Sequence, residues 1–251
     1  MNKITFSSLC WKRPDTFELW CKNLTSLVPR PTIVVAGSPQ DQCKEIAERY
    51  GVIYEQTQNK VLGAKANHSV RMAKETECTH VILTGSDDLM SQKQYEFYLN
   101  FKGECLGLLD YYFLQIEDGR MIHWKGYAAG KRIGEPIGGA KMLSREVMDK
   151  LDWMPFSETS RHPDEHETQM KLNKLGIVVK TVTNEHTGGI GIDIKNSENI
   201  TRFTLWNNSK YVMAKTVLEN EPELYQLILN YSKGLQRHEK EAQQARNRKS
   251  R

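Results

Sequence analysis

The sequence predicts an α/β protein with a mostly parallel central sheet flanked by helices and a helical C-terminal extension. Three observations point to that class. Apolar strand-like runs alternate with amphipathic helix-like runs through the first hundred residues. The run "PTIVVAG" (31–37) is apolar along its length, as a strand buried on both faces must be. Several helix-like runs carry cap signals, Asp41 and Gly51 at the two ends of one, Ser144 at the start of another and Gly176 at the end of a third.

The elements follow in order. "KITFSSL" (3–9) predicts a first strand, and residues 15–27 a helix with Phe17, Leu19, Trp20, Leu24 and Leu27 as its apolar positions. "PTIVVAG" is the second strand. "DQCKEIAERYG" (41–51) predicts a helix opened by Asp41 and closed by Gly51. "VIYEQ" (52–56) is a short strand, "LGAKANHSVRMAKE" (62–75) a helix, and "HVILTG" (80–85) the fourth strand. This rhythm makes a parallel sheet, and ligands collect beyond the carboxyl ends of such strands. In the second half, "ECLGLLDYYFLQIED" (104–118) predicts one or two strands, paired with "RMIHWKG" (120–126) through the turn "EDGR". "LSREVMDKL" (143–151) is a short helix capped by Ser144, "DEHETQMKLNKLG" (164–176) a helix closed by Gly176, and "IVVKTV" (177–182) a strand. From Asn199 the chain reads as largely helical, interrupted at Pro222. No repeat or flexible linker divides it, so one domain over 1–198 and an extension over 199–251 are expected.

With 251 residues and 39% hydrophobic composition the chain can bury a sizeable core, which excludes a disordered protein. No run approaches the roughly 18 apolar residues of a membrane span, and "MNKITFSSLCWKRPD" lacks the apolar stretch of a signal peptide. Five cysteines without CxxC spacing favour buried free thiols in a reducing cytoplasm over a disulfide frame or zinc site. The net charge of +4 is unevenly spread: residues 233–251 hold seven Lys/Arg against two Glu, leaving 28 against 29 in the rest. That +5 tail is either a solvated helix end or an electrostatic arm for a polyanion such as DNA.

The segment "HVILTGSDDLM" (80–90) carries the sharpest chemical signal. A strand that ends by setting Asp87 beside Asp88 needs a cation, a shared proton or water to relieve the repulsion. Carboxylates in that position commonly hold Mg²⁺ or Mn²⁺, although an acidic turn needs neither. Upstream, in "NKVLGAKANHSVRMA" (59–73), Gly63 and Ala64 let the backbone approach a ligand, Lys65 brings charge, and Asn67 both donates and accepts. A helix N-terminus there favours anions, and an ordinary loop-to-helix junction is the plainer alternative.

On these residues the chain resembles the family-two glycosyltransferases of GT-A fold. "SSLCWKRPD", "IVVAG", "NKVLGAKAN" and "HVILTGSDD" carry the resemblance, over residues 4–90. The family pattern is Asn-x-Gly-x-x-x-Ala-Arg-Asn, then an apolar strand ending in Asp-x-Asp-Asp. The resemblance implies a nucleotide-sugar-binding half over 1–90 and an acceptor and catalytic half over 91–198. It makes Asp87, with Asp88, the holder of a metal on the donor diphosphate. Ser8, Arg13, Gly37, Ser38, Asn59, Gly63, Lys65, Asn67 and Ser86 are the implied donor contacts. Three departures stand out: Gly85 replaces the first aspartate, Lys65 the arginine, and "VVAGSPQDQ" lacks an acidic residue for the nucleoside.

The second half extends the resemblance. "PIGGAKMLSREVMDKLDW" (136–153) is similar to the family's acceptor-side segment, and "HPDEHETQMKLNKLG" (162–176) to its Glu-Asp-x-Glu-Leu-x-x-Arg-Leu pattern. Glu165 is thereby implied as general base, with Asp164 as its substitute; acids decorating a helix N-terminus are the plainer reading. His186, before the glycines of "NEHTGGIGIDIKNSENIT", matches a metal-contacting histidine of several GT-A enzymes, and Lys195 could reach a phosphate. Tyr111, Tyr112 and Phe113 suit a core or a stacking platform, while Trp124 among Lys125, Lys131 and Arg132 suits an acceptor surface or an exposed loop. The resemblance implies an inverting, Mn²⁺- or Mg²⁺-dependent enzyme with a nucleotide-sugar donor, UDP being the family's commonest nucleotide. The chain also looks similar to bacteriophage enzymes that glycosylate hydroxymethylcytosine in DNA with arabinose or glucose. A cytoplasmic transferase acting on a glycan or small molecule, and a catalytically silent nucleotide- or DNA-binding module, are the alternatives.

Overall fold

The computed structural model describes residues 1–39, 42–59, 61–159, 165–197, 199, 203–206, 210–232 and 237. In chain order the first half holds β1 (Ile4–Leu9), α1 (Pro14–Ser26), β2 (Thr32–Gly37), α2 (Cys43–Arg49), β3 (Ile53–Gln56), α3 (Leu62–Lys74), β4 (His80–Leu83), β5 (Asp88–Met90) and α4 (Gln92–Asn100). The second half holds β6 (Cys105–Leu108), β7 (Tyr111–Gln115), β8 (Arg120–Trp124), β9 (Lys141–Ser144), α5 (Arg145–Lys150), α6 (Glu165–Lys174), β10 (Lys180–Val182), α7 (Asn184–Thr187) and β11 (Gly191–Lys195). Then come β12 (Val212–Met213), α8 (Ala214–Val217) and α9 (Pro222–Tyr231).

Seven strands form the central sheet in the order β10-β6-β9-β4-β1-β2-β3. The pairs β1–β2, β1–β4, β2–β3 and β6–β10 are parallel, and β9 runs antiparallel between β4 and β6. The continuous apolar runs now have a cause. Ile33 and Val35 enter one buried cluster while Val34 enters the other, and Ile82 faces away from Val81 and Leu83 in the same manner. Successive side chains point to opposite faces, so a sheet covered on both sides requires apolar residues at every position. This is the α/β architecture that the sequence predicts.

A second sheet, in the order β12-β8-β7-β11-β5, was not anticipated. Its strand β11 lies in the glycine-rich stretch after His186, for which the sequence suggested no strand, and pairs parallel to β7 and antiparallel to β5. The predicted hairpin is present as β7–β8. Helix α4 occupies a stretch for which the sequence suggested no element: its glutamines and charges mask Tyr95, Tyr98 and Leu99, which are buried at helical spacing. The strand expected over 177–182 shortens to β10. Beyond Asn199 the described residues include β12 as well as helices, so the extension is not wholly helical; β12 completes the second sheet beside β8. The N-cap role of Asp41 and all but residue 237 of the basic tail lie outside the described residues.

All five cysteines are free and buried, as expected. Among the described residues no helix is long and apolar enough to cross a membrane.

One polar side chain ties the two halves together. Asn67 on α3 is fully buried; its Nδ2 donates to the carbonyl of Phe156 and its Oδ1 accepts from the same residue's N–H, both at 3.0 Å. Replacing it with alanine leaves the buried Phe156 N–H unpaired, at roughly 1–3 kcal/mol, while the carbonyl still accepts from Lys171 Nζ at 3.0 Å. Asn67→Ala is expected to lower the melting temperature by about 2–12 °C, using roughly 2–4 °C per kcal/mol for a chain of this size. Calorimetry checks this, and an unchanged melting temperature would show that the segment is held by other contacts.

Candidate active site

The chain leaves β4 at Leu83 and turns through Thr84, Gly85 and Ser86 before entering β5 at Asp88. Gly85 is required there. Its N–H donates to Asp88 Oδ2 at 2.6 Å, and a Cβ on it would come within 2.5 Å of Asp87 Oδ1. The first aspartate of the family pattern therefore has no room in this turn. A third carboxylate arrives from elsewhere: β11 runs antiparallel to β5 in a register that sets Asp193 opposite Asp88. One oxygen from each of Asp87, Asp88 and Asp193 lies within 4.8 Å of the others.

Two cations and an amide border this cluster. Arg13 Nη1 donates to Asp87 Oδ2 at 2.6 Å, Asn199 Nδ2 to the same oxygen at 2.8 Å, and Lys195 Nζ to Asp193 Oδ2 at 2.6 Å. Arg13 is delivered by a turn in which Lys12 (φ 57°) and Arg13 (φ 54°) are both left-handed, which costs roughly 1–3 kcal/mol per residue. Asp193 Oδ1 is buried and has no hydrogen-bond partner among the described residues. Burial, then repulsion from Asp193 and Asp87, pushes Asp88 well above the usual carboxylate range. Burial, with Asp87 adding and Lys195 opposing, pushes Asp193 up to about 7. An oxygen without a partner, in an all-carboxylate set that cannot stay fully ionised alone, fits an oxygen-loving divalent cation. Asp87, Asp88 and Asp193 would hold it.

The cluster forms one wall of a cleft of about 640 Å³, a volume typical of small-molecule sites. Glu165, the first residue of α6, lines the same cleft, as do Gly138, Gly139 and Lys141. A Cβ on Gly138 would lie 1.9 Å from Glu165 Cγ, and one on Gly139 would lie 3.1 Å from both Asp88 carboxylate oxygens. Adjacent α-carbons are ~3.8 Å apart, so Glu165 and Asp88 press against neighbouring residues of one peptide. Phe113, Trp124 and Tyr127 complete the apolar part, with Trp124 and Tyr127 edge to face at 4.9 Å.

The structure brings Ser8, Arg13, Ser86, Asp87, Asp88, Glu165 and Lys195 of the predicted residues into this cleft. Others are placed differently. Lys65 is 1% exposed, and its ammonium donates to Cys10 O (2.6 Å), Ser38 Oγ (2.8 Å) and Asn59 Oδ1 (3.1 Å). It is a buried clamp joining the ends of β1 and β2 to the loop before α3, so it does not reach out to a phosphate. Gly37 lies under Tyr54, whose hydroxyl would fall 1.7 Å from an added Cβ. Gly63 is buried in the first turn of α3, and Asn67 is committed to Phe156. His186 is separated from the aspartates: it sits on α7, edge to face with Phe97 at 5.7 Å, beside Lys180 and Phe101 in another depression. The chain must still cross from α7 to β11 before it reaches the cluster, which makes Asp193 the residue that arrives. Asp164 lies outside the described residues.

Sequence reasoning missed Asp193, Asn199, Lys141 and the role of the Gly138–Gly139 pair. Asp193 had a legible signal. In "GIDIK" the apolar residues alternate with Asp193 and Lys195, the period of a strand with one polar face.

No protein-family model and no curated protein matches the sequence significantly. Similarity appears at the level of structure. Residues 1–349 of S. aureus TarS, solved in complex with UDP-GlcNAc, superpose with a TM-score of 0.53 at 16% identity, covering 91% of this chain and 67% of that one. Glucosyl-3-phosphoglycerate synthase from Mycobacterium tuberculosis, solved with Mn²⁺, UDP and phosphoglyceric acid, gives a TM-score of 0.48 at 14% identity, over 72% and 68%. The likeness to TarS is one of fold, and the fold is GT-A.

Because the raised carboxylates must lose protons before they can bind a cation, metal affinity should rise with pH through about 7. The expected outcome is a larger Mn²⁺-induced rise in melting temperature at pH 8 than at pH 5.5, abolished by Asp193→Asn. Thermal-shift titrations at the two pH values measure it. Equal shifts at both would mean that these acids are not the ligands.

Proposed function

We propose that the chain is a metal-dependent, inverting glycosyltransferase that moves a sugar from a nucleotide-sugar, with a UDP-sugar as first choice, to an acceptor hydroxyl. One observation carries this reading: Glu165 and the aspartate cluster face the same cleft from two sides of a single peptide, Gly138–Gly139. The fold shared with a protein solved with UDP-GlcNAc supports a UDP-sugar donor.

The assignment of roles follows from charge and position. Mg²⁺ or Mn²⁺, when bound, supplies the positive charge that offsets the departing diphosphate. Arg13 and Lys195 stand beside the carboxylates, where the same diphosphate would meet their N–H donors. Ser8 and Ser86 line the cleft as further hydroxyl contacts. Glu165 accepts the acceptor's proton as the new bond forms, a contribution of roughly 10²–10⁴ in rate. A base on one side of the sugar and a leaving group on the other invert the anomeric carbon. Gly138 keeps Glu165 in place by having no side chain of its own.

For the acceptor we propose hydroxymethylated cytosine in bacteriophage DNA, which the resemblance to phage DNA glycosyltransferases implies; the +5 charge over residues 233–251 suits a polyanion such as DNA. A duplex acceptor would present its base flipped out of the stack. A glycan or small-molecule acceptor is the alternative. A silent binding module is disfavoured because Asp193 supplies the carboxylate that position 85 lacks.

Glu165→Gln is expected to lower kcat by about 10²–10⁴ while the dissociation constant for Mn²⁺-UDP changes less than about threefold. Gly138→Ala should show the same pattern, since its methyl displaces Glu165, whereas Asp87→Ala should abolish Mn²⁺-stimulated UDP-sugar hydrolysis. Steady-state kinetics with calorimetric UDP titrations read these outcomes, and full activity in Glu165→Gln would remove the base assignment. Separately, the full chain should retard duplex DNA, more strongly at low salt, and truncation after residue 232 should weaken that retardation. A truncated chain that binds DNA equally well would remove the support the tail gives to a DNA acceptor.

A further inference from the structure

Lys141 takes no part in the roles assigned above, yet its position is unusual for a lysine. It is 1% exposed at the start of β9, opposite Leu83 of β4, and it lines the cleft beside Gly138, Gly139 and Glu165. Among the described residues its ammonium has no hydrogen-bond or ion-pair partner. Burial drives it down to about 8, with Glu165 and Glu135 favouring its charge and Arg132 opposing it. Arg132 repeats the feature. Its guanidinium stacks on the ring of Tyr127 at 4.0 Å, its Nε donates to Glu135 at 2.8 Å, and its Nη2 is buried without a partner among the described residues. Glu135 is already engaged by His166 Nδ1 at 2.8 Å as well as by Arg132.

We infer that Lys141 and Arg132 form an oxyanion subsite on the acceptor wall of the cleft, and that the acceptor carries a phosphate ester close to the hydroxyl that Glu165 deprotonates. An ammonium at the bottom of a cleft, on a residue otherwise buried, is poorly hydrated, and a second cation with an unsatisfied buried N–H adds repulsion. A phosphate oxyanion answers both, accepting from the point charge of the lysine and from the arginine fork. The placement selects the acceptor rather than the donor. Lys141 lines the cleft together with Glu165, and Arg132 stacks on Tyr127, which lines it too, within range of the Glu165 charge; Arg13 and Lys195 serve the carboxylate cluster. This inference rests on the proposed transferase reading and narrows its acceptor class.

The test uses the full chain with Mn²⁺ and UDP at saturation, so that the aspartate side is filled, and titrates inorganic phosphate by calorimetry. Wild type should bind phosphate, Lys141→Met should bind it at least about tenfold more weakly, and Lys141→Arg should recover most of the loss. UDP affinity should stay within about twofold throughout. Lys141→Met should also melt no lower than wild type, because an apolar side chain of similar length suits that buried position better than an unpaired charge. Phosphate affinity equal in wild type and Lys141→Met, or no binding by wild type at tens of millimolar, overturns the subsite. Competition then separates sources: displacement by glycerol phosphate indicates a small phosphorylated acceptor, displacement by duplex DNA a backbone phosphate, and displacement by neither overturns the acceptor assignment. Should UDP itself fail to bind with Mn²⁺, the transferase reading falls, and titrating phosphate into the metal-free chain still decides the subsite.

Discussion

Three aspartates drawn into one small volume set the terms for everything around them. Asp87, Asp88 and Asp193 cannot all ionise there without help, because burial and mutual repulsion both favour the protonated form. The surrounding fold supplies partial help in three forms. Arg13 arrives on a strained left-handed turn, Lys195 comes from two residues further along the same strand as Asp193, and the Gly85 amide donates directly to Asp88. What is left over is an oxygen of Asp193 without a partner among the described residues. Polar groups buried in this way are kept in proteins when something else completes them.

The geometry that gathers these groups comes from two sheets meeting. The parallel sheet carries the chain out at the end of β4, where a carboxyl-end crevice would form in any protein of this class. The smaller sheet then closes over that crevice, with β5 as its edge strand and β11 beside it. Strand register does the fine positioning. A slip of one residue between β5 and β11 would send Asp193 to the opposite face, since side chains alternate along a strand. Glycine does the rest by omission: at 85 and 138 a β-carbon would collide with a carboxylate side chain of the site, and at 139 it would crowd Asp88 at 3.1 Å.

Local pattern in the sequence located most of the first sheet, though not its antiparallel strand β9, and most of its helices, because buried parallel strands and capped helices announce themselves over short windows. Asp87 and Asp88 were legible for the same reason, standing at the end of a strongly patterned strand, whereas Glu165 was singled out only by the resemblance of its segment to the family pattern. The second sheet was much less so. Strand β11 is five residues long and preceded by glycines, and nothing local to it tells that Asp193 will face Asp88 from over a hundred positions away. Lys65 and Asn67 show the converse error. Their residue types suited a ligand, but only packing could reveal that Ser38, Asn59, Cys10 and Phe156 already occupy their hydrogen-bonding capacity. His186 lies in a separate depression with Phe97, Phe101 and Lys180, a placement that sequence spacing near a glycine-rich crossing does not constrain.

The exchange of an acid at position 85 for one at position 193 changes when in the life of the chain the site comes into being. A run of neighbouring acids exists as soon as one turn forms. Here the third acid belongs to β11, and the Asn199 that steadies Asp87 follows it, so the carboxylate trio assembles only after most of the chain has been made and the smaller sheet has closed. Nascent or partly folded forms carry only the adjacent pair. A divalent ion held by all three carboxylates would therefore report that the smaller sheet has closed.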